Sequence, residues 1–209
     1  MKFKNLTLVV FESFVHPRSL DYLEYELRAA HASKCDAIVL AIRSPGGYVN
    51  KVPEIARLID RIAEDKPVFA YTDTYMASAA YWIGASADMI YAAPSADVGS
   101  IGAYVEMLDF SKWFLNAGIE QKLWRAGDDK ARIGFDGQMR ESDNAEIQAE
   151  LDELHLQFQN SVLEHRNIDP AYMQGKVYSG AKALELGFID GFADSLFDFC
   201  ELLKNGGIE

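Results

Sequence analysis

Residues 36–42, Asp-Ala-Ile-Val-Leu-Ala-Ile, form a continuous apolar run of strand length that soon breaks into Ser44-Pro45-Gly46-Gly47. A strand without a polar face belongs inside a sheet covered on both sides, as parallel strands are in α/β proteins. The flanking segments keep that rhythm. Leu6 to Phe11 reads as a strand, and Leu20, Leu23 and Leu27 recur at helical spacing in an expected helix over residues 19–33. Beyond the glycines, Val52, Ile55, Ile59 and Ile62 mark one helix face, and residues 67–71 (PVFAY) read as the next buried strand. The segment at Ser78 opens another helix, and Met89 to Ala92 returns to strand. The alternation predicts right-handed crossovers and an α/β fold, a mostly parallel sheet with helices on its faces.

The second half of the chain carries weaker patterns. A strand is expected over residues 103–107, a helix near 110–116 and a strand near 120–124. Residues 125–140 read as a polar loop long enough to be functional. A long helix is expected from Ser142, with Ile147, Leu151, Leu154, Phe158 and Val162 as its apolar stripe and strongly acidic other faces. Such a stripe is more often intramolecular core than an oligomer contact. A short helix (AKALELG), a strand at Phe188-Ile189 and a closing helix with Leu196, Phe199 and Leu203 follow. At 209 residues, with no repeat or linker, the chain is expected to form one domain over residues 1–209.

Twenty Lys plus Arg against 32 Asp plus Glu leave a net charge of −12, which argues against nucleic acid or an anionic membrane as the main partner. No apolar run approaches the roughly 18–20 residues that span a bilayer. The lysines and short apolar run at the start read as the first strand rather than a signal segment, so the expectation is a cytoplasmic protein without a membrane anchor. Cys35 and Cys200 form no disulfide framework and have no metal-ligand spacing; each is expected to be a buried apolar cysteine. No metal or other cofactor is implied.

Ligand sites in parallel sheets gather at the carboxyl ends of the strands. SPGG follows one buried strand and Ser78 follows the next, so the two motifs are expected to meet on one sheet edge. Gly46 and Gly47 allow positive φ and close approach of backbone to a ligand, and their amides can face a developing oxyanion. By itself SPGG is more often a tight strand-to-helix turn. Ser78, amid Ala77, Ala79 and Ala80, is an uncrowded candidate nucleophile whose partner donor is the Ala79 amide. Its alternative is a helix cap. Lys130, beside Asp128 and Asp129, is on sequence logic an ordinary solvated side chain. A lysine base must be largely neutral near pH 7, which requires desolvation from about 10.4. His16, His31, His155 and His165 lie in helical or pre-helical segments, away from the expected strand ends.

Taken together, SPGG (44–47), MASAAYWIGASADMIYAAPSADVGSIGAYVE (76–106), GDDKARIG (127–134) and VYSGAKALELGFIDGF (177–192) resemble the signal peptide peptidase A family of serine proteases, peptidase family S49, with its Clp protease/crotonase fold. The resemblance covers roughly residues 36–192. It implies Ser78 as nucleophile, Lys130 as general base, and the amides of Gly47 and Ala79 as the oxyanion hole. It also places Gly46 and Ser100 in substrate binding and implies a ring-like homo-oligomer. Two features are expected to depart from the family pattern: no membrane anchor of the kind common in signal-peptide-degrading members is expected, and Ala79-Ala80 replaces a glycine pair. The wording is closer to the phage-encoded branch that processes scaffold or head proteins.

The expected function is a Ser-Lys endopeptidase acting on a peptide or protein substrate. Two other readings stay open: a non-catalytic oligomeric scaffold of the same fold, and a crotonase-like acyl-CoA enzyme. The latter wants a carboxylate base and basic residues for the CoA phosphates, which this acidic chain does not mark.

Overall fold

The computed structural model describes residues 2–127, 129–134 and 137–208. The elements run in the order β1 (Leu6–Phe11), α1 (Pro17–Ala32), β2 (Ala37–Ile42), α2 (Val52–Ala63), β3 (Val68–Thr72), β4 (Tyr75–Ala77), α3 (Ala79–Ala85), β5 (Met89–Ala92) and β6 (Asp97–Gly99). They continue with α4 (Ser111–Asn116), α5 (Glu141–Leu163), β7 (Val177–Ser179), α6 (Gly180–Glu185), β8 (Gly191–Phe192) and α7 (Leu196–Asn205). The chain divides into two compact units, one of residues up to Gly102 together with those from Gln157 onward, the other Ala103–Leu156.

In the first unit, a five-stranded sheet has the order β1-β2-β3-β5-β8, and every neighbouring pair is parallel. Every residue of β2 and β3 is buried, as a strand with no polar face requires. On one face Val39, Phe69 and Tyr71 pack with Phe199 and Leu203 of α7, the Tyr71 and Phe199 rings stacked at 5.4 Å. On the other, α2 buries Val52, Ile55, Ile59 and Ile62, each such side chain contributing about 1.5–3 kcal/mol. Helix α1 starts where sequence favours it: His16 Nδ1 accepts the Ser19 amide, the Ser19 hydroxyl accepts the His16 amide, and Pro17 occupies the first turn.

A second, three-stranded sheet has the order β4-β6-β7, with β4 parallel to β6 and β7 antiparallel to it. None of these strands was anticipated, because three residues are too few to display a period. The strand expected at Phe188-Ile189 is displaced to β8: both residues are buried, but pairing with β5 falls on Gly191 and Phe192. Cys35 and Cys200 are half-buried rather than buried, and burial still pushes the Cys200 thiol up.

In the second unit, the strands expected over residues 103–107 and 120–124 are not formed; both stretches lack regular structure. Tyr104 and Trp124 are 85% and 84% exposed, so apolar character in these stretches reflects no covered strand face. Helix α4 forms where expected but buries none of its residues. Within this unit Arg132 pairs with Glu146 (3.0 Å) and Glu150 (3.1 Å), while Arg140 grips the fully buried Asp143 at 2.6 Å. Along α5 the expected stripe is half-buried at Ile147, Leu151 and Leu154 and buried at Phe158 and Val162. Among the described residues no helix is long and apolar enough to cross a membrane.

Candidate active site

Past Ile42 the β2 chain continues into Arg43 and the buried Ser44, which pairs with Met76 of β4 through Ser44 N to Tyr75 O (2.9 Å) and Ala77 N to Ser44 O (3.1 Å). The Ser44 hydroxyl accepts the Gly46 amide at 3.2 Å and closes the SPGG turn. Gly46 and Gly47 take φ of 99° and 149°, in the region that favours glycine. Gly47 pairs in parallel with Val15: Val15 N donates to Gly46 O and Tyr48 N to Val15 O, both at 2.8 Å. That pattern uses the flanking groups, so the amide of Gly47 points away from Val15.

Ser78 joins β4 to α3 with φ 54° and ψ −131°, a backbone state that costs a non-glycine residue on the order of 1–3 kcal/mol. The surroundings hold it there. Its amide donates to Gly99 O (2.8 Å), and its carbonyl accepts from the amides of Tyr81 (2.8 Å) and Trp82 (3.1 Å). All seven residues of α3 are buried, whereas Ser78 itself is half-buried. As the first residue of a helix, Ala79 has an amide with no intrahelical partner. A Cβ on Gly46 would lie 2.6 Å from Ser78 Cβ and 3.1 Å from Ala79 N, so the SPGG turn lies directly against the serine turn.

Ser100 leaves β6 as Ser78 leaves β4. The register pairs Ala77 with Gly99, which places the two serines side by side, and Ser100 also has positive φ (57°). Its amide donates to Lys176 O at 2.8 Å. Lys130 belongs to the second unit, where its side chain is exposed and its amide donates to Gly127 O at 3.2 Å. Of its acidic neighbours, Asp129 pairs with Arg140 (3.3 Å), and Asp128 lies outside the described residues. Thus Ser78, Ala79, Gly46, Gly47 and Ser100 are brought together in the first unit.

Two contributors were not legible beforehand. Ser44 is the buried latch of the glycine turn. Arg43 forks onto Asp73 with two bonds of 2.7 Å and reaches Glu12 at 3.4 Å, tying together the carboxyl ends of β2, β3 and β1. That pairing holds the Asp73 carboxyl below its usual value. The only sequence signal was a charged residue directly after an apolar run. The histidines have other uses: His16 caps α1, His31 lies 2.9 Å from Asp65, and His165 lies 3.3 Å from Asp60. Among the described residues no group of three or more His, Cys, Asp or Glu is arranged to hold a metal ion.

Residues 60–198 match the model of the family described as Peptidase family S49. A provisionally named protease of Methanocaldococcus jannaschii is 31% identical over 157 residues, 73% of this chain and 50% of that protein. A Brucella melitensis protein named Na+/H+ antiporter NhaA is 32% identical over 81% of this chain but only 24% of its own length. A provisionally named signal peptide peptidase SppA of Enterococcus faecium is 28% identical over 77% of this chain and 49% of that protein. The chain therefore spans about half or less of the length of these relatives. Among solved structures, the 1510-N membrane-bound stomatin-specific protease, as a serine-to-alanine mutant, superposes with a TM-score of 0.56. It shares 15% identity over 95% of this chain and 84% of that one, a likeness of fold.

Proposed function

The chain belongs to peptidase family S49, and from that premise we propose that it hydrolyses peptide bonds by acyl transfer through Ser78. The single observation that carries the reading is the contact between the SPGG turn and Ser78, which sets the glycine backbone against the serine turn at the start of α3. Ser78 Oγ attacks the carbonyl carbon of the peptide while its proton passes to Lys130 Nζ, an exposed group that takes this role where bound substrate or a second copy of the chain covers it. The amides of Gly47 and Ala79 stabilise the oxyanion, where one lost donor costs about 2.7–4 kcal/mol. Collapse breaks the C–N bond, and Lys130 returns the proton to the leaving amine. Water, deprotonated by the same lysine, then hydrolyses the acyl-enzyme.

Assignment of the base is supported by a solved relative of the fold. The stomatin-specific protease was also captured as a lysine-to-alanine mutant in complex with a substrate peptide (14% identity, TM-score 0.55). Gly46 and Ser100, both at the rim of the serine turn, are assigned to binding the substrate backbone. The substrate is a peptide or protein, of the signal-peptide or capsid-scaffold kind. Exposed Tyr104, Trp113, Leu115 and Trp124 favour assembly into a homo-oligomer that covers them.

The reading is tested with a fluorophosphonate probe, which is expected to label the parent protein at Ser78 and to leave Ser78→Ala unlabelled. Retained labelling of Ser78→Ala, or undiminished peptidase activity of Lys130→Ala, would remove the corresponding assignment.

A further inference from the structure

At the end of α3 opposite Ser78, one buried guanidinium gathers three elements. Arg166, with a side chain only 4% exposed, donates from Nε to Ala85 O (3.3 Å) and from Nη2 to Ala87 O, and its Nη1 lies 2.6 Å from Asp190 Oδ2. The same carboxylate oxygen accepts the amide of Ile90 at 2.7 Å, and the Asp190 amide donates to Ile90 O at 2.8 Å. The last carbonyl of α3, the turn after it, the start of β5 and the chain entering β8 therefore converge on Arg166. The guanidinium is almost wholly enclosed while Asp190 keeps about a third of its side chain exposed, and the planar fork of the guanidinium fixes the directions of these bonds.

We infer that Arg166 is a positioning residue for the nucleophile: by anchoring the far end of α3, it sets the direction in which Ser78 and the Ala79 amide face the substrate. The inference rests on the role of Ser78 proposed above. Helix α3 has seven residues, which at about 1.5 Å per residue is roughly 10 Å. Over so short a rigid rod, a tilt at Ala85 reaches Ser78 undamped. The near end is located by the Gly99 carbonyl and the close face of Gly46, and packing holds the flanks of all seven residues, while Arg166 supplies the directional bonds at the far end. Acyl transfer is sensitive to such errors, since a displacement of about 1 Å can cost about 10²-fold in rate.

Support of stability alone is the competing role, and it would lower the melting temperature without slowing the labelling of protein that is still folded. Replacing both partners by apolar side chains of similar volume leaves no unpaired charge, whereas removing one partner does. The experiment compares the parent, Arg166→Lys and the double variant Arg166→Met with Asp190→Leu. Melting temperature is read by circular dichroism, and fluorophosphonate labelling is followed to saturation, giving a maximal rate kinact and a half-saturation constant KI.

The double variant takes their partners from the Ala85 and Ala87 carbonyls and the Ile90 amide, so it is expected to melt below the parent, and its folded protein to label at least about tenfold more slowly in kinact, with KI unchanged. Arg166→Lys keeps the charge without the fork and is expected to fall between. A double variant that is folded at the assay temperature and labels like the parent overturns the inference, whatever its melting temperature. Should the double variant fail to fold, a folded Arg166→Lys labelling at the parental rate overturns it equally. Absence of labelling in the parent would instead remove the role of Ser78, and the inference with it, and is distinguished because it is seen before any substitution.

Discussion

A side chain on Gly46 would place its Cβ 2.6 Å from the Cβ of Ser78, so the glycine turn and the serine occupy one another's van der Waals boundary. Gly46 also has φ of 99°, a backbone state that side chains rarely adopt. Gly46→Ala therefore faces both strain and collision, and the Ala77 carbonyl, 2.8 Å from the added carbon, cannot swing aside as a flexible side chain would. The expected loss is about 1–3 kcal/mol of stability, read by urea denaturation. Fluorophosphonate labelling of the surviving folded fraction should be slowed as well. A variant as stable and as reactive as the parent would show that the two turns are not in contact.

Phe158 and Trp82 stack at 4.5 Å with an interplanar angle of 8°, joining the buried end of α5 to the helix that follows Ser78. Both side chains are 2% exposed. Phe158→Ala is expected to cost about 3–5 kcal/mol. Chemical denaturation followed by tryptophan fluorescence measures this directly. A loss under about 1 kcal/mol, far below the range for a buried aromatic, would place the stack outside the core.

Lys130→Ala is expected to slow acylation of Ser78 by about 10²-fold or more, the range for removal of a general base. The measurement is the rate of labelling at fixed probe concentration, with circular dichroism checking that the fold persists. Lys130 is exposed and its side chain is not part of a packed core, so stability should change little. Unchanged labelling would mean that another group takes the Ser78 proton.

Asp73 links acid stability to the carboxyl ends of the sheet. Its side chain is held by the Arg43 fork, which lowers its folded-state pKa below the ordinary 3.8. Because the unfolded chain then binds the proton more readily, the stabilisation is fully present above about pH 4 and is lost as pH falls through the lowered folded value. Asp73→Asn should be less stable than the parent at pH 7, and the gap should narrow below pH 3.8. Urea midpoints from pH 7 to 3 test it, and a gap that widened on acidification would contradict the pairing.

Local sequence determined the main sheet and its covering helices. An unbroken apolar run such as 37–42 can be buried only on two faces, and the helical spacing of Val52, Ile55, Ile59 and Ile62 permits only one inward stripe. These signals depend on neighbours along the chain, so they survive without knowledge of the fold. The meeting of SPGG with Ser78 was legible for the same reason, since both follow strands of one parallel sheet.

Only the tertiary structure decided the rest. Strands β4, β6 and β7 are three residues each, and their pairing partners come from segments as distant as Gly99 and Val177. Residues 103–107 (Ala-Tyr-Val-Glu-Met) and 120–124 (Glu-Gln-Lys-Leu-Trp) carry β-favouring residues but form no strand, because a strand also needs a neighbour in register and local composition cannot supply one. Ser78 has no local reason to take φ of 54°; the carbonyl of Gly99 and the bare face of Gly46 impose it. Nothing local to Arg166 in the sequence marks it for burial, which follows from carbonyls and a carboxylate supplied by residues 85, 87 and 190. Periodicity reports burial, which is a local requirement. The direction in which a catalytic group points is set by contacts between distant parts of the chain.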